Sequence, residues 1–210
     1  TSLDLSNWNT ANVTDMSFTF QNNSSLTSIK GLNQLKTDKV INMSYLFAND
    51  GQLASITDIN NWNTSNVQTM SQMFTNDPYY IQKLDFSKWN TENVTSFDHF
   101  ASIDLNGLNT LATQLNTTVN KLRQWNNHTI EKLSIAKAVD LNSMLSGYAQ
   151  FTGIINLSGY DFSNTKHMEM FIDPYVNAVI YLGNNHTVPL TDRNVFTNGN
   201  TGTPGNIKES

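Results

Sequence analysis

Four histidines and a scatter of carboxylates are the side chains of this chain best equipped for chemistry, and their spacing argues against most of it. His99, His128, His167 and His186 stand well apart, and none falls in the H-E-x-x-H spacing that sets two imidazoles on one helical face around a metal. His99 and His167 sit near the expected helical parts of two repeats, where solvent-facing or packing roles suffice. Cysteine is absent, which removes thiolate nucleophiles, disulfides and Cys-bound metals together. No G-x-S-x-G elbow, phosphate-cradling glycine loop or EF-hand loop is present. Asp85, Asp98, Asp161 and Asp173 offer carboxylates, but a glycoside-cleaving pair is defined by its separation in space. The expectation is a chain that is no enzyme and uses neither cofactor nor metal.

Other residues are suited to binding rather than reaction. Asp77-Pro78-Tyr79-Tyr80 follows Phe74, and Asp173-Pro174-Tyr175 follows Phe171. Asp and Pro favour a defined turn that can hold Tyr79, Tyr80 and Tyr175 outward as flat rings with a hydroxyl tip, a surface that suits sugars. The plainer alternative is that these rings pack on a neighbouring repeat. Lys30, Lys83 and Lys88 fall in or beside the strands expected below, with solvation as the plainer role.

Elements able to position these residues come from an internal repeat. Thr10, Val13, Met16 and Phe20 recur as Thr37, Val40, Met43 and Phe47, then as Thr64, Val67, Met70 and Phe74, at an offset of 27. Thr91, Val94, Phe97 and Phe100 make a fourth copy whose last position comes one residue early. Trp8, Leu35, Trp62 and Trp89 share another column. Fixed spacing in several columns is the signature of a stacked array. Val, Met and Phe at intervals of three and four predict a short helix with its stripe facing the core. The Thr ahead of it reads as an N-cap, and Asn22, Asn49 and Asn76 as left-handed helix ends. Leu26 to Leu32 and Ile81 to Phe86 read as strands. Each unit, too small to bury its own apolar face, needs its neighbours.

The expected organisation is a solenoid over 1–182, regular over 1–100, irregular over 101–129 and degenerate over 130–182. In the irregular part Leu108, Leu111, Leu115, Val119 and Leu122 keep helical spacing. Leu141, Met144, Tyr148, Ile154 and Leu157 are then aligned with Val13, Met16, Phe20, Leu26 and Ile29, and a further copy with Tyr160, Met168 and Phe171 follows. Residues 183–210 are polar and turn-rich, and read as a cover and linker.

The phrase LSNWNTANVTDMSFTF, echoed by NNWNTSNVQTMSQMF and FSKWNTENVTSFDHF, resembles the BspA-like leucine-rich repeat of bacterial surface proteins, closely over residues 1–100 and more loosely over 130–182. The resemblance implies an α/β fold, a right-handed leucine-rich-repeat-like solenoid with one short parallel strand and one short helix per coil of about 27 residues. It implies a secreted, cell-surface or cell-wall protein of Gram-positive, lactic-acid-type bacteria that adheres to host glycans, mucus or extracellular matrix. It supplies no catalytic residues. A structural spacer that projects another domain from the wall is the alternative, and regular, interchangeable units would favour it.

Composition fits this class. A net charge of -5 with 12 Lys and Arg gives no clustered footprint for nucleic acid. No apolar run of membrane-spanning length and no signal peptide occurs, and the opening inside a repeat reads as a fragment, expected to be monomeric. Near pH 4 the four histidines charge and about half of the 17 carboxylates protonate, bringing the net charge to about +8 by reference pKa values. Tighter binding of acidic or sulfated glycans at acidic pH is therefore expected.

Overall fold

The computed structural model describes residues 1–77, 81, 83–103, 108–122, 124–125, 129–147, 150–157, 162–166, 177–182 and 207–209. In it the sequence period is a backbone register. Asp15 pairs in parallel with Asn42, Asn42 with Thr69, and Thr69 with Ser96, each 27 residues on. Beside each bridge, alternate amides reach the next unit: Met16, Phe18, Phe20 and Asn22 donate to the carbonyls of Asn42, Ser44, Leu46 and Ala48 at 2.9–3.0 Å. Met43, Tyr45, Phe47 and Asn49 donate in the same way to Thr69, Ser71, Met73 and Thr75, and Met70, Gln72, Phe74 and Asn76 to Ser96, Asp98, Phe100 and Ser102. The amides between turn back within the unit, Thr19 to Met16 and Gln21 to Phe18 at 3.4 and 3.2 Å. Buried backbone groups are thus satisfied by two alternating routes.

The helix expected over each Val-Met-Phe stripe is not formed. The segment is a chain of linked turns that passes through left-handed backbone at Phe18 and Asn22 (φ 59° and 62°), Tyr45 and Asn49 (59° and 65°), and Gln72 and Asn76 (56° and 64°). Side-chain acceptors explain why. Asp15, Asn42 and Asp140 accept the amides of Ser17, Ser44 and Asn142 at 2.8–3.0 Å, while Thr69 and Ser96 take those of Ser71 and Asp98 at 3.4 Å. Such bonds compete with helix. The threonine column does not cap helices either. The Thr10, Thr64 and Thr91 hydroxyls donate to the carbonyls of Lys36, Asn90 and Ser134 at 2.9–3.0 Å, joining units instead.

Strands and helices complete the frame. Strand β1 (Ser2–Asp4) pairs in parallel with β2 (Ser28–Lys30), within one expected strand. The other, Ile81 to Phe86, forms no strand at its described positions: the Leu84 amide turns back to the Ile81 carbonyl at 3.2 Å, and the Asp85 amide is taken by Asn60 Oδ1 at 3.1 Å. Helices α1 (Leu108–Gln114) and α2 (Val119–Leu122) carry the leucine spacing of the irregular part. Strands β3 (Gln124–Trp125), β4 (Gln150–Leu157), β5 (Asn177–Leu182) and β6 (Ile207–Glu209) form a parallel sheet in that order. The segment expected as cover and linker therefore contributes a strand at 207–209, because β5 has an edge whose amides and carbonyls need partners.

Apolar columns meet inside. Phe20, Phe47 and Phe74 stack at 5.3 and 5.9 Å, and Val40, Val67 and Val94 are fully buried, with Val13 half-buried at the first unit. Each buried side chain of this size contributes about 1.5–3 kcal/mol. Trp62 and Trp89 also donate their indole N–H to the carbonyls of Leu32 and Ile59 at 2.9 and 3.1 Å. Two register assignments change. Ala101 holds the backbone place of Phe20, Phe47 and Phe74, donating to the next unit as they do. Phe100 sits in the column of Leu46 and Met73, and its ring swings edge-on to Phe74 at 5.3 Å. Asp140 pairs with Ser96, so Leu141 occupies the Met16 column and Ala138, not Leu141, the Val13 column. Tyr160, Met168 and Phe171 lie outside the described residues. Among those described, no helix is long and apolar enough to cross a membrane.

Two aspartates are buried in this stack. Asp50 Oδ1 accepts the Asn23 amide at 2.6 Å, and Asp77 Oδ1 accepts the Asp50 amide at 2.8 Å. Asp50 Oδ2 is buried without a hydrogen-bond partner, and burial pushes its carboxyl up to about 7, against the pull of the Asn23 amide. The native state therefore holds a proton that the unfolded chain loses near 3.8. Its stability contribution is complete below about pH 4 and is lost as pH rises through about 7. Asp15 and Asp85 are held low mainly by hydrogen bonds from Ser17 and Ser87, so theirs is lost only as pH falls below the ordinary carboxylate range. Thermal denaturation should show Tm rising by roughly 4 °C or more from pH 8 to pH 5, and Asp50→Asn should flatten that rise. A second prediction concerns Gly147, at φ 87°, where an added Cβ would lie 2.3 Å from the Ile103 carbonyl oxygen. Gly147→Ala should lower stability by at least about 2 kcal/mol in urea unfolding.

A candidate binding cleft at the inserted unit

Between Ser96 and Asp140 the register is 44 residues, 17 more than in the preceding units. The extra chain includes α1 and α2. Helix α1 buries Leu108 and Ala112, with Leu111 and Leu115 partly covered against the core. It has no charged residue. Its docking depends on Gly51, where a Cβ would meet Leu111 Cδ1 at 2.8 Å and the Asn76 carbonyl at 3.3 Å.

Between α1 and the turns at Asn49 to Gln52 and Asn76 lies a cleft of about 380 Å³. Among the described residues its polar lining is Ser24, Asn49, Gln52, Asn76, Thr110 and Gln114, and its apolar lining is Gly51, Ile103, Leu108 and Leu111. One wall is rigid. Asn76 Nδ2 donates to Asn49 Oδ1 at 2.7 Å and Asn49 Nδ2 to Asn22 Oδ1 at 2.9 Å, a ladder of amides in the left-handed column. Ser24, Gln52, Thr110 and Gln114 line the cleft, and Ser24, Thr110 and Gln114 are solvent-exposed. Hydroxyls and amides of this kind offer both donors and acceptors.

The lysines singled out from the sequence are placed elsewhere, each on a different part of the unit before it. Lys30 pairs with Asp4 at 3.0 Å, both exposed. Lys83 Nζ donates to the Ala54 carbonyl at 3.2 Å, and Lys88 Nζ to Asn61 Oδ1 at 2.7 Å. These are stitches along the stack, each joining a lysine to the unit before it. Tyr79, Tyr80 and Tyr175 lie outside the described residues, as do His128, His167, His186, Asp161 and Asp173. Asp77, read as the start of a ring-presenting turn, is buried and holds the Asp50 amide. His99 Nδ1 lies 2.7 Å from Asp98 Oδ1 at the surface. No group of His, Asp or Glu suited to a metal occurs among the described residues. Two features escaped sequence reasoning: the cleft, whose signal was the broken period, and the exposed Phe18 ring stacked on Tyr45 at 4.7 Å.

No curated protein matches the chain, and no solved structure does. One family model matches twice, over residues 1–110 and 100–178, and its two matches meet where the extra chain of the irregular unit begins. This chain of stacked turns belongs to the family described as Mycoplasma protein of unknown function, DUF285.

Proposed function

We propose that this protein is a non-enzymatic adhesion module, a leucine-rich-repeat-like solenoid of the BspA-like kind carried on a Gram-positive bacterial surface, and that it holds host glycan or matrix components in the cleft beside α1. The observation that carries this reading is the cleft itself, where Ser24, Gln52, Thr110 and Gln114 are gathered beside Leu108 and Leu111. They are gathered where the stack departs from its period. A spacer needs no such departure. The spacer reading draws on the other units, whose Thr and Asn ladders join each coil to the next in nearly interchangeable fashion.

Acid strengthens the binding of anionic ligands in this reading, through the field of the whole module. The gain is smaller than reference values give. Asp4, Asp15, Asp38 and Asp85 are all held below their ordinary value by hydrogen bonds, so acid neutralises less of their charge than reference values give, while Asp50 is already partly neutral at pH 7.

A glycan array with matrix proteins alongside, run at pH 4 and pH 7 and matched low salt, tests the proposal. Binding to a defined glycan or matrix set is expected, several-fold stronger at pH 4 for sulfated members, and weakened at least fivefold by the double substitution Gln52→Ala and Gln114→Ala. Binding to nothing at either pH would leave the spacer. Equal binding of a sulfated glycan at both would remove the acid dependence.

A further inference from the structure

Resting on the reading of the module as a glycan binder, we propose a second site apart from the cleft: the row Tyr45, Gln72 and His99, with Asp98 beside it, takes a neutral, extended glycan chain. These positions recur at the offset of 27, and Phe18 heads the same column. Phe18, Tyr45, Gln72 and His99 all have left-handed backbone, at φ 59°, 59°, 56° and 50°. The other left-handed column holds Asn22, Asn49 and Asn76, the residue type that tolerates this region best after glycine. Bulky side chains there are outliers, and Tyr45, Gln72 and His99 are only half-buried, so core packing does not account for the choice. Backbone strain held in place by its surroundings marks positions where a side chain is presented for use.

The groups presented are suited to sugar hydroxyls. Gln72 Nε2 donates to the Tyr45 hydroxyl, which keeps its own proton to give, and Gln72 keeps a second N–H and a carbonyl oxygen. His99 Nδ1 lies 2.7 Å from Asp98 Oδ1, and the two side chains are 43% and 25% exposed. A carboxylate accepts strongly from hydroxyls and repels sulfate and carboxylate groups, so Asp98 favours a neutral chain. The row also has a regular pitch. Phe18 and Tyr45 stack at 4.7 Å, the rise of one unit, and the column from Phe18 to His99 spans about 14 Å. An extended β-linked glycan repeats its hydroxyls at nearly that rise, so successive sugars meet successive units. Hydroxyls next in sequence hold the units in step: Ser44 Oγ lies 3.1 Å from Thr69 Oγ1, Thr69 Oγ1 3.2 Å from Ser71 Oγ, and Ser71 Oγ 2.8 Å from Ser96 Oγ. A row fixed before binding loses little freedom on binding.

The test is titration of the intact chain at pH 7 and physiological salt with cellopentaose, xylopentaose and β-mannopentaose, and with the sulfated form of each, followed by calorimetry and by the side-chain amide signals of Gln72. At least one neutral chain should bind about tenfold more tightly than its sulfated form and shift the Gln72 signals, and Asp98→Asn should cut that preference to less than threefold. Gln72→Asn combined with His99→Asn should weaken binding at least tenfold while Tm holds or rises, because Asn suits the left-handed backbone. A fall in Tm with binding unchanged would assign the column to packing and overturn the site. Gln52→Ala with Gln114→Ala, in the cleft, should leave this binding unchanged. Loss of binding in the cleft variant alone would overturn the row and leave the glycan-binding reading standing. Equal binding of neutral and sulfated chains would overturn the preference. If no neutral chain shifts Gln72 while array glycans bind, the row falls and the module's role as a binder survives. Binding of no glycan by any route would overturn both.

Discussion

Met16, Phe18, Phe20 and Asn22 donate their amides to a chain segment 26 residues ahead, and the same four positions do so again in the next two units. For alternate amides to face one way along a turning segment, the backbone must pass repeatedly through left-handed conformation. Phe18, Tyr45, Gln72 and His99 all sit there, at φ between 50° and 59°. A side chain other than glycine in that region costs about 1–2 kcal/mol. Each forward bond returns only about 1 kcal/mol net, so no unit is stable by its own hydrogen bonds. The remainder comes from the phenylalanine and methionine columns, which are buried only when units stack. Hydrogen bonding sets the register, and apolar burial makes that register affordable only in numbers.

The same constraint explains which parts of the fold were legible. The 27-residue period and the buried columns could be read directly, because a stack repeats its contacts as faithfully as its residues. The local conformation could not. Apolar residues at intervals of three and four mark a helix, but linked turns that each close over three residues create the same spacing. The discriminating signal was the polar column ahead of the stripe. Asp15, Asn42, Thr69, Ser96 and Asp140 are all short acceptors able to capture an amide two residues on, which favours turns over helix. Register in the later units was ambiguous for a related reason: Ala138 is a small residue in a valine column, so the larger Leu141 drew the alignment three places along.

The cleft was legible as a disturbance and not as a site. Broken periodicity after residue 101 pointed to the irregular unit, and its leucine spacing pointed to helices, which are present. Its other wall consists of Asn49, Gly51, Gln52 and Asn76, which belong to regular units and looked like ordinary turn residues. Only packing brings an uncharged helix onto them. A long flexible cation beside a strand looks unattached in one dimension. In the stack its nearest acceptor belongs to the previous unit, as Lys88 and Asn61 show at an offset of 27.

One column joins the scaffold to the cleft. Asn23, Asp50 and Asp77 stand at successive units, and the two acids accept amides from the units before them. An asparagine would accept such a bond without titrating, so the choice of acid makes the joint sensitive to proton concentration. Asp50 lies between Asn49 and Gly51, and Asp77 follows Asn76, which places both buried carboxyls next in sequence to cleft-lining residues. Burial holds Asp50 near its protonated form around neutrality. Acid therefore relieves the cost of the buried carboxyl in the turn that carries Asn49 and Gly51, two residues of the cleft wall.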